Sequence, residues 1–266
     1  MDLQLTGKRA VVTGGGSGIG KATAALLAAE GADVVIASRS ADRLRQSAAE
    51  ISAAAGRTVH PVTVDTSNDA SVHSLAVRAA ELVGPIEILV NCAAIPAGQH
   101  PVGGFETVTS EMFWDDLNVK VLGYLRCAQA LAPGMIAAGW GRIINVSGLA
   151  ARSTGSVVGS IRNVSVAAMT KNLADELGRH GVNVTVVHPG LTRTEATPGV
   201  VAATASREGI EPAQVERRLA GGNSIGRLPT ADEVAAVIVF LASPRSVAIN
   251  GDSVACGGGT PRAIHY

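Results

Sequence analysis

Aromatic side chains are scarce in this 266-residue chain: they make up 3% of it, and Tyr124 and Tyr266 are its two tyrosines. The three cysteines, Cys92, Cys127 and Cys256, are odd in number and far apart. That spacing excludes a disulfide framework and a CxxC metal pair, and no metal site is expected. Charge of one sign is missing too, since 22 Lys and Arg balance 22 Asp and Glu. The balance argues against nucleic acid held by phosphate neutralisation and against an anionic membrane surface. The longest apolar run, 234–242, is too short to span a bilayer. Residues 1–8 lack the apolar stretch of a signal peptide, so a reducing, cytoplasmic setting is expected.

What is present is apolar material, 47% against 17% charged, enough for a large core. Short β-branched runs at 10–13, 32–37, 58–64, 86–91, 141–146 and 182–188 alternate with Ala/Leu-rich stretches of helical period, such as 20–30 and 41–55. Near-continuous apolar strands separated by helices predict a parallel sheet covered on both faces. No linker, repeat or charge block divides the chain, so one doubly wound, Rossmann-like α/β domain over 1–266 is expected. The stretch 190–227, rich in Thr, Ala, Gly and Arg, reads as an irregular insertion before a last helix near Thr230. It is either the substrate side of the sheet's C-terminal edge or a solvent-exposed helical excursion with no ligand role.

The run Thr13-Gly14-Gly15-Gly16-Ser17-Gly18-Ile19-Gly20 falls between the first strand and the first helix. Glycines there permit a tight turn, and the helix N-terminus offers amide donors to a pyrophosphate. This run resembles the nucleotide motif of short-chain dehydrogenases/reductases. Asn91-Cys92-Ala93-Ala94 resembles that family's NNAG, Gly141-Arg142-Ile143-Ile144-Asn145-Val146-Ser147 its GxIxNxS strand, and His188-Pro189-Gly190 its PG turn. Gly226-Arg227-Leu228, Phe240-Leu241-Ala242-Ser243 and Asn250-Gly251 extend the resemblance to the C-terminal region. It implies Gly14, Ser17, Gly18, Ile19 and Gly20 around the pyrophosphate and Asp65 and Thr66 beside the adenine. It also implies Asn91 and Ala93 along the ribose, and Pro189, Gly190 and Thr192 near the nicotinamide. Where NAD-preferring relatives carry an acid, this chain has Ser38 followed by Arg39, which suits the 2′-phosphate of NADP by charge; NAD is the alternative.

The resemblance also implies an Asn-Ser-Tyr-Lys tetrad, in which tyrosine exchanges a proton with a carbonyl oxygen and lysine eases its loss. A Tyr-x-x-x-Lys pair is absent from this chain. Ungapped counting back from Lys171 puts Gly159 at the tyrosine position and Asn163 at the lysine position; a one-residue shift offers Val158 and Arg162 instead, and the tyrosine is missing either way. Gly148 falls at the serine position, after Ser147, and Lys120 at the asparagine position. Lys120 and Asn163 thus look exchanged. Either Lys120 returns an ammonium to the site, with Ser147 and Asn163 as its companions, or it fills an inactive pocket.

Ser153, Ser156 and Ser160 read as turn formers, and Arg152 and Arg162 as exposed ion-pair partners or anion binders. His188 reads as a buried structural histidine, and the terminal Tyr266 as a side chain that could reach a site. By resemblance the expected activity is NADP-dependent oxidoreduction of a small ketone or alcohol by an altered proton route. The alternatives are a catalytically degenerate dinucleotide-binding or regulatory protein and a redox-neutral enzyme reusing the pocket. The resemblance further implies a homo-oligomer, tetramer or dimer, built on the helices around 114–138 and 157–178.

Overall fold

Seven β-branched segments pair, all parallel, in the order β3-β2-β1-β4-β5-β6-β7 in the computed structural model, which describes residues 1–95, 105–262 and 264. The strands are β1 (Arg9–Thr13), β2 (Asp33–Ser38), β3 (Val59–Thr63), β4 (Ile88–Asn91), β5 (Gly141–Val146), β6 (Val182–Pro189) and β7 (Ser253–Cys256). The first six match the expected runs to within two residues. The seventh was missed: it is an edge strand of four residues, alternately exposed and half-buried, with little apolar signal. Tyr266 lies outside the described residues.

Because side chains alternate across a strand, neighbouring residues serve opposite faces. Val12, Ile36, Ile88 and Ile144 pack under α1 (Gly18–Ala29), α2 (Ala41–Ala55) and α9 (Ala231–Ala242). Val11, Val35, Leu89 and Ile143 pack under α3 (Asp69–Val83), α5 (Gly123–Ala138) and α6 (Val157–Leu177). Both faces are therefore dry, as the unbroken apolar strands require. The chain winds outward through β1, β2 and β3, then returns to place β4 on the other side of β1. That reversal opens a crevice above the C-terminal ends of β1 and β4, where ligands of open α/β sheets bind.

Two local features position the site. First, α4 (Ser110–Leu117) runs into α5 through a π-helical turn, Asn118–Leu122, in which the Gly123 amide donates to the Asn118 carbonyl. The stretch from Ser110 to Ala138 is long and apolar enough to cross a membrane by length and composition alone. Its α5 part buries Tyr124, Cys127, Leu131 and Met135, whereas in α4 only Asp116 is buried. Second, 190–227 is not irregular. It carries α7 (Thr197–Glu208) and α8 (Pro212–Ala220), the latter started by Pro212 and a reciprocal Glu211–Gln214 capping box. These caps outweigh a composition rich in Thr, Ala, Gly and Arg, which suggested an irregular segment.

Candidate functional site

The glycine loop between β1 and α1 is held too tightly for side chains. A Cβ on Gly20 would lie 2.3 Å from the Gly14 carbonyl oxygen, and one on Gly14 2.8 Å from the Cys92 carbonyl carbon. Thr13 Oγ1 accepts from the amides of Cys92, at 3.2 Å, and Ala93, tying the ends of β1 and β4 together. A cleft of about 730 Å³ starts here. At one end it is lined by Ser38, Arg39, Ser40 and Arg43, and at the other by Lys120, Ser147, Gly190 and Thr192. Leu191, Val200, Leu219 and Leu228 supply an apolar outer wall from the 190–228 region.

Of the expected cofactor residues, Gly14, Ser17, Ile19, Gly20, Ser38, Arg39, Thr66, Ala93, Gly190 and Thr192 line this cleft. Four do not. Asn91 is fully buried and donates from Nδ2 to Asn145 Oδ1 at 2.9 Å, so it ties β4 to β5. Asp65 turns its carboxylate onto the Ser67 amide and hydroxyl, which hold it below the usual carboxylate range. Pro189 closes β6 within the sheet. The Gly18 amide, at the N-terminus of α1, donates to Glu195 Oε1 at 2.8 Å. Arg43 was not anticipated; the wall from α7 and α8 agrees with the reading of 190–227 as the substrate side of the sheet edge. Arg43 lies four residues beyond Arg39, one helical turn into α2, a spacing that counting could have flagged.

Lys120 sits in the π-helical turn and is 4% exposed. Its Nζ donates to the Ser147 carbonyl at 2.9 Å and to Asn163 Oδ1 at 3.1 Å. Ser147 in turn donates its hydroxyl to the Asn163 carbonyl at 3.0 Å. The two counted positions that looked exchanged are therefore in direct contact. Asn163 does not itself line the cleft and touches it through Lys120 and Ser147. Burial pushes the Lys120 ammonium down to about 7, and the nearby Arg162 cation adds to that.

Arg162 is not an exposed partner. It donates to the buried Asp116 at 2.5 Å and is itself 14% exposed. Tyr124 is fully buried, donates to the Val146 carbonyl at 2.9 Å, and carries a pKa far above its ordinary value because it is dry. It holds β5 to α5 and supplies no proton to the cleft. Ser156 caps α6, accepting from the Gly159 amide at 3.0 Å, which fits its reading as a turn former. Burial also raises Cys92 to about 12, so the thiol beside Lys120 stays protonated. Among the described residues no cluster of three or more His, Cys, Asp or Glu could hold a metal ion.

His188 is buried, with Nδ1 3.1 Å from the Gly148 carbonyl and Nε2 3.3 Å from Ser253 Oγ. Burial lowers its pKa to about 4. Between that value and the ordinary one near 6.5, the unfolded chain binds a proton that the folded chain refuses. Stability is therefore complete above pH 6.5 and falls as pH drops toward 4. In His188→Gln, urea midpoints measured across this window should lose that slope; an unaltered slope would refute the assignment.

A family profile described as short chain dehydrogenase matches residues 8–205. The short-chain reductase protein NovJ of Streptomyces niveus is 37% identical over 254 residues, which is 95% of this chain and 93% of that protein. Sorbitol dehydrogenase of Cereibacter sphaeroides is 32% identical over 247 residues, 92% and 93% of the two chains. The fold superposes with a TM-score of 0.92 on L-sorbose reductase of Gluconobacter frateurii, solved with NADPH and L-sorbose, at 28% identity and over 99% and 100% of the two chains. On the profile match, and on identity that extends over nearly the whole of both chains, this protein belongs to the short-chain dehydrogenase family.

Proposed function

We propose that this protein is an NADP-dependent oxidoreductase for a small ketone or alcohol in which Lys120 replaces the family's tyrosine as the group that exchanges a proton with the substrate oxygen. The observation that carries this reading is the hydrogen bond from Lys120 Nζ, at the cleft wall, to Asn163 Oδ1 behind it. The ammonium missing from position 163 is supplied from the facing helix, and its depressed pKa suits proton exchange near neutrality. Gly159, at the counted tyrosine position, leaves no competing proton donor there.

The residues present fit the dinucleotide. Glycines that tolerate no Cβ leave the backbone open to a pyrophosphate at the start of α1, and Ser17 makes no capping bond with its own helix. Arg39 and Arg43 supply two cations at the far end for a 2′-phosphate. When bound, the dinucleotide supplies or accepts the hydride. The chain's own part is to orient the carbonyl at the Lys120 end, to keep water out with the Leu191, Val200, Leu219 and Leu228 wall, and to hold the exchanging proton on Lys120 Nζ. In this reading 1–266 forms one dinucleotide-binding unit with 190–227 as its substrate side. Small-molecule substrates suit this mostly apolar wall. A second copy of the chain is the expected partner for the exposed apolar side chains of Trp114, Val157, Ile161 and Val164 on α4 and α6.

Two experiments test this. Calorimetric titration should give tighter binding of NADPH than of NADH, and Arg39→Ala with Arg43→Ala should erase most of that preference, roughly 1.5–3 kcal/mol for hydrogen bonds to a charged group. Equal affinities in the unaltered protein would sink the NADP assignment. Absorbance at the NADPH band with a panel of ketones and alcohols tests turnover. Binding without turnover would favour the second reading, a dinucleotide-binding protein without redox chemistry, for which the lack of a tyrosine at position 159 speaks.

A further inference from the structure

Lys120 does not stand alone in the seam between α4 and α6. Asp116, four residues earlier, faces the same helix and is 2% exposed. On α6, Arg162 immediately precedes Asn163. Two polar rungs therefore cross one apolar seam: Asp116 with Arg162, and Lys120 with Asn163. The π-helical turn widens the backbone just where the second rung crosses, an arrangement rare in helices and frequent at functional sites. The Arg162 Nε is buried without an acceptor among the described residues. One guanidinium nitrogen buried without an acceptor, one residue from the lysine's partner, is a cost that a mere strut does not require.

We propose that Arg162, anchored by Asp116, is a positioning residue that acts through Lys120: its fixed cation drives the Lys120 proton toward the substrate oxygen. This rests on the reading of Lys120 as the proton-exchanging group. In reduction, hydride from the dihydronicotinamide forms the new C–H bond and the carbonyl π bond opens. One N–H bond of the Lys120 ammonium breaks as the O–H bond forms, the dinucleotide is oxidised, and the neutral amine regains a proton from solvent. A permanent neighbouring cation favours the neutral amine and so favours the transfer. The groups facing Lys120 are Asp116 from α4, Arg162 from α6, Cys92 at the end of β4, the Tyr124 ring 6.0 Å away on α5, and His188 on β6. Cys92 and His188 are uncharged near neutral pH, which leaves Arg162 and Asp116 as the charges that bias the lysine.

The chain has four lysines, Lys8, Lys21, Lys120 and Lys171, so its lysine signals are few. NMR of the cofactor-free protein labelled at lysine 13Cε, with Lys120 assigned by its loss in Lys120→Met, reads the midpoint directly. Arg162→Gln should raise the Lys120 midpoint by roughly one unit or more, and Arg162→Lys should leave it in place. Asp116→Asn should lower it. In the double variant Arg162→Gln/Asp116→Asn, no freed carboxylate remains to pull the midpoint up, and a rise must come from the lost cation. A double-variant midpoint equal to that of the unaltered protein overturns the proposal, as does a midpoint near 10 in the unaltered protein. If Arg162→Gln does not fold, Arg162→Lys and the double variant decide it. Turnover separates the two layers: Lys120→Met with full activity ends the reading of Lys120, whereas the titration tests Arg162 without any substrate.

Discussion

Replacing Lys120 with methionine is expected to lower carbonyl reduction by roughly 10²–10⁴-fold, the usual worth of a positioned proton donor, while NADPH affinity stays largely unchanged. Methionine keeps most of the buried volume and removes the charge, so the effect isolates the ammonium. The cost to folding is smaller. Ser147 O and Asn163 Oδ1 each lose a donor, about 1–3 kcal/mol for each buried group left unsatisfied, offset by relief of the lysine's desolvation. Stopped-flow reduction with a substrate found in the ketone panel, set beside a calorimetric NADPH titration, gives both numbers. Turnover equal to that of the unaltered protein would remove Lys120 from the reaction. A matched loss of NADPH affinity would instead make it a cofactor ligand.

Gly20→Ala should abolish productive dinucleotide binding. The new Cβ would sit 2.3 Å from the Gly14 oxygen, a backbone atom that cannot rotate away. Gly14 is itself pinned, since its own amide donates to the Ala37 carbonyl at 2.7 Å and its φ of +70° resists a side chain. The loop must move as a unit, at about 1–3 kcal/mol for overpacking a tight site. The same movement displaces the amides offered to the pyrophosphate, and the NADPH dissociation constant should rise by about tenfold or more. Calorimetry together with a thermal melt distinguishes the outcomes. Unchanged affinity in a folded variant would show that this loop does not carry the cofactor.

Much of this arrangement was legible in the residues because it is local. The glycine loop, the β-branched runs and the Thr230 start of α9 all announce themselves within a few positions, and Thr230 accepts from the Glu233 amide as a cap should. The pairing of Lys120 with Asn163 could be suspected as well, because counting along two separate motifs marked both positions. Its consequence could not. Whether an ammonium and an amide meet depends on how α4 and α6 cross, and the π-helical turn that brings Lys120 inward leaves no compositional mark. Arg162 misled for the same reason: its partner Asp116 is 46 positions away, so it read as solvated. Asn91 and Asp65 lie where the motifs put them, yet their side chains serve Asn145 and Ser67. A motif fixes backbone position better than it fixes where a side chain spends its hydrogen bonds.

The two glycines at the counted serine and tyrosine positions bear on what bulk the site can accept. A Cβ on Gly148 would lie 3.0 Å from Asn163 Nδ2, and one on Gly159 2.8 Å from Ser156 Oγ, the cap of α6. In both cases the nearest atom is the end of a side chain, so a small shift of Asn163 or of the Ser156 hydroxyl makes room for a Cβ. The same two side chains that hold Lys120 and start α6 thus also set how much bulk this wall of the cleft accepts.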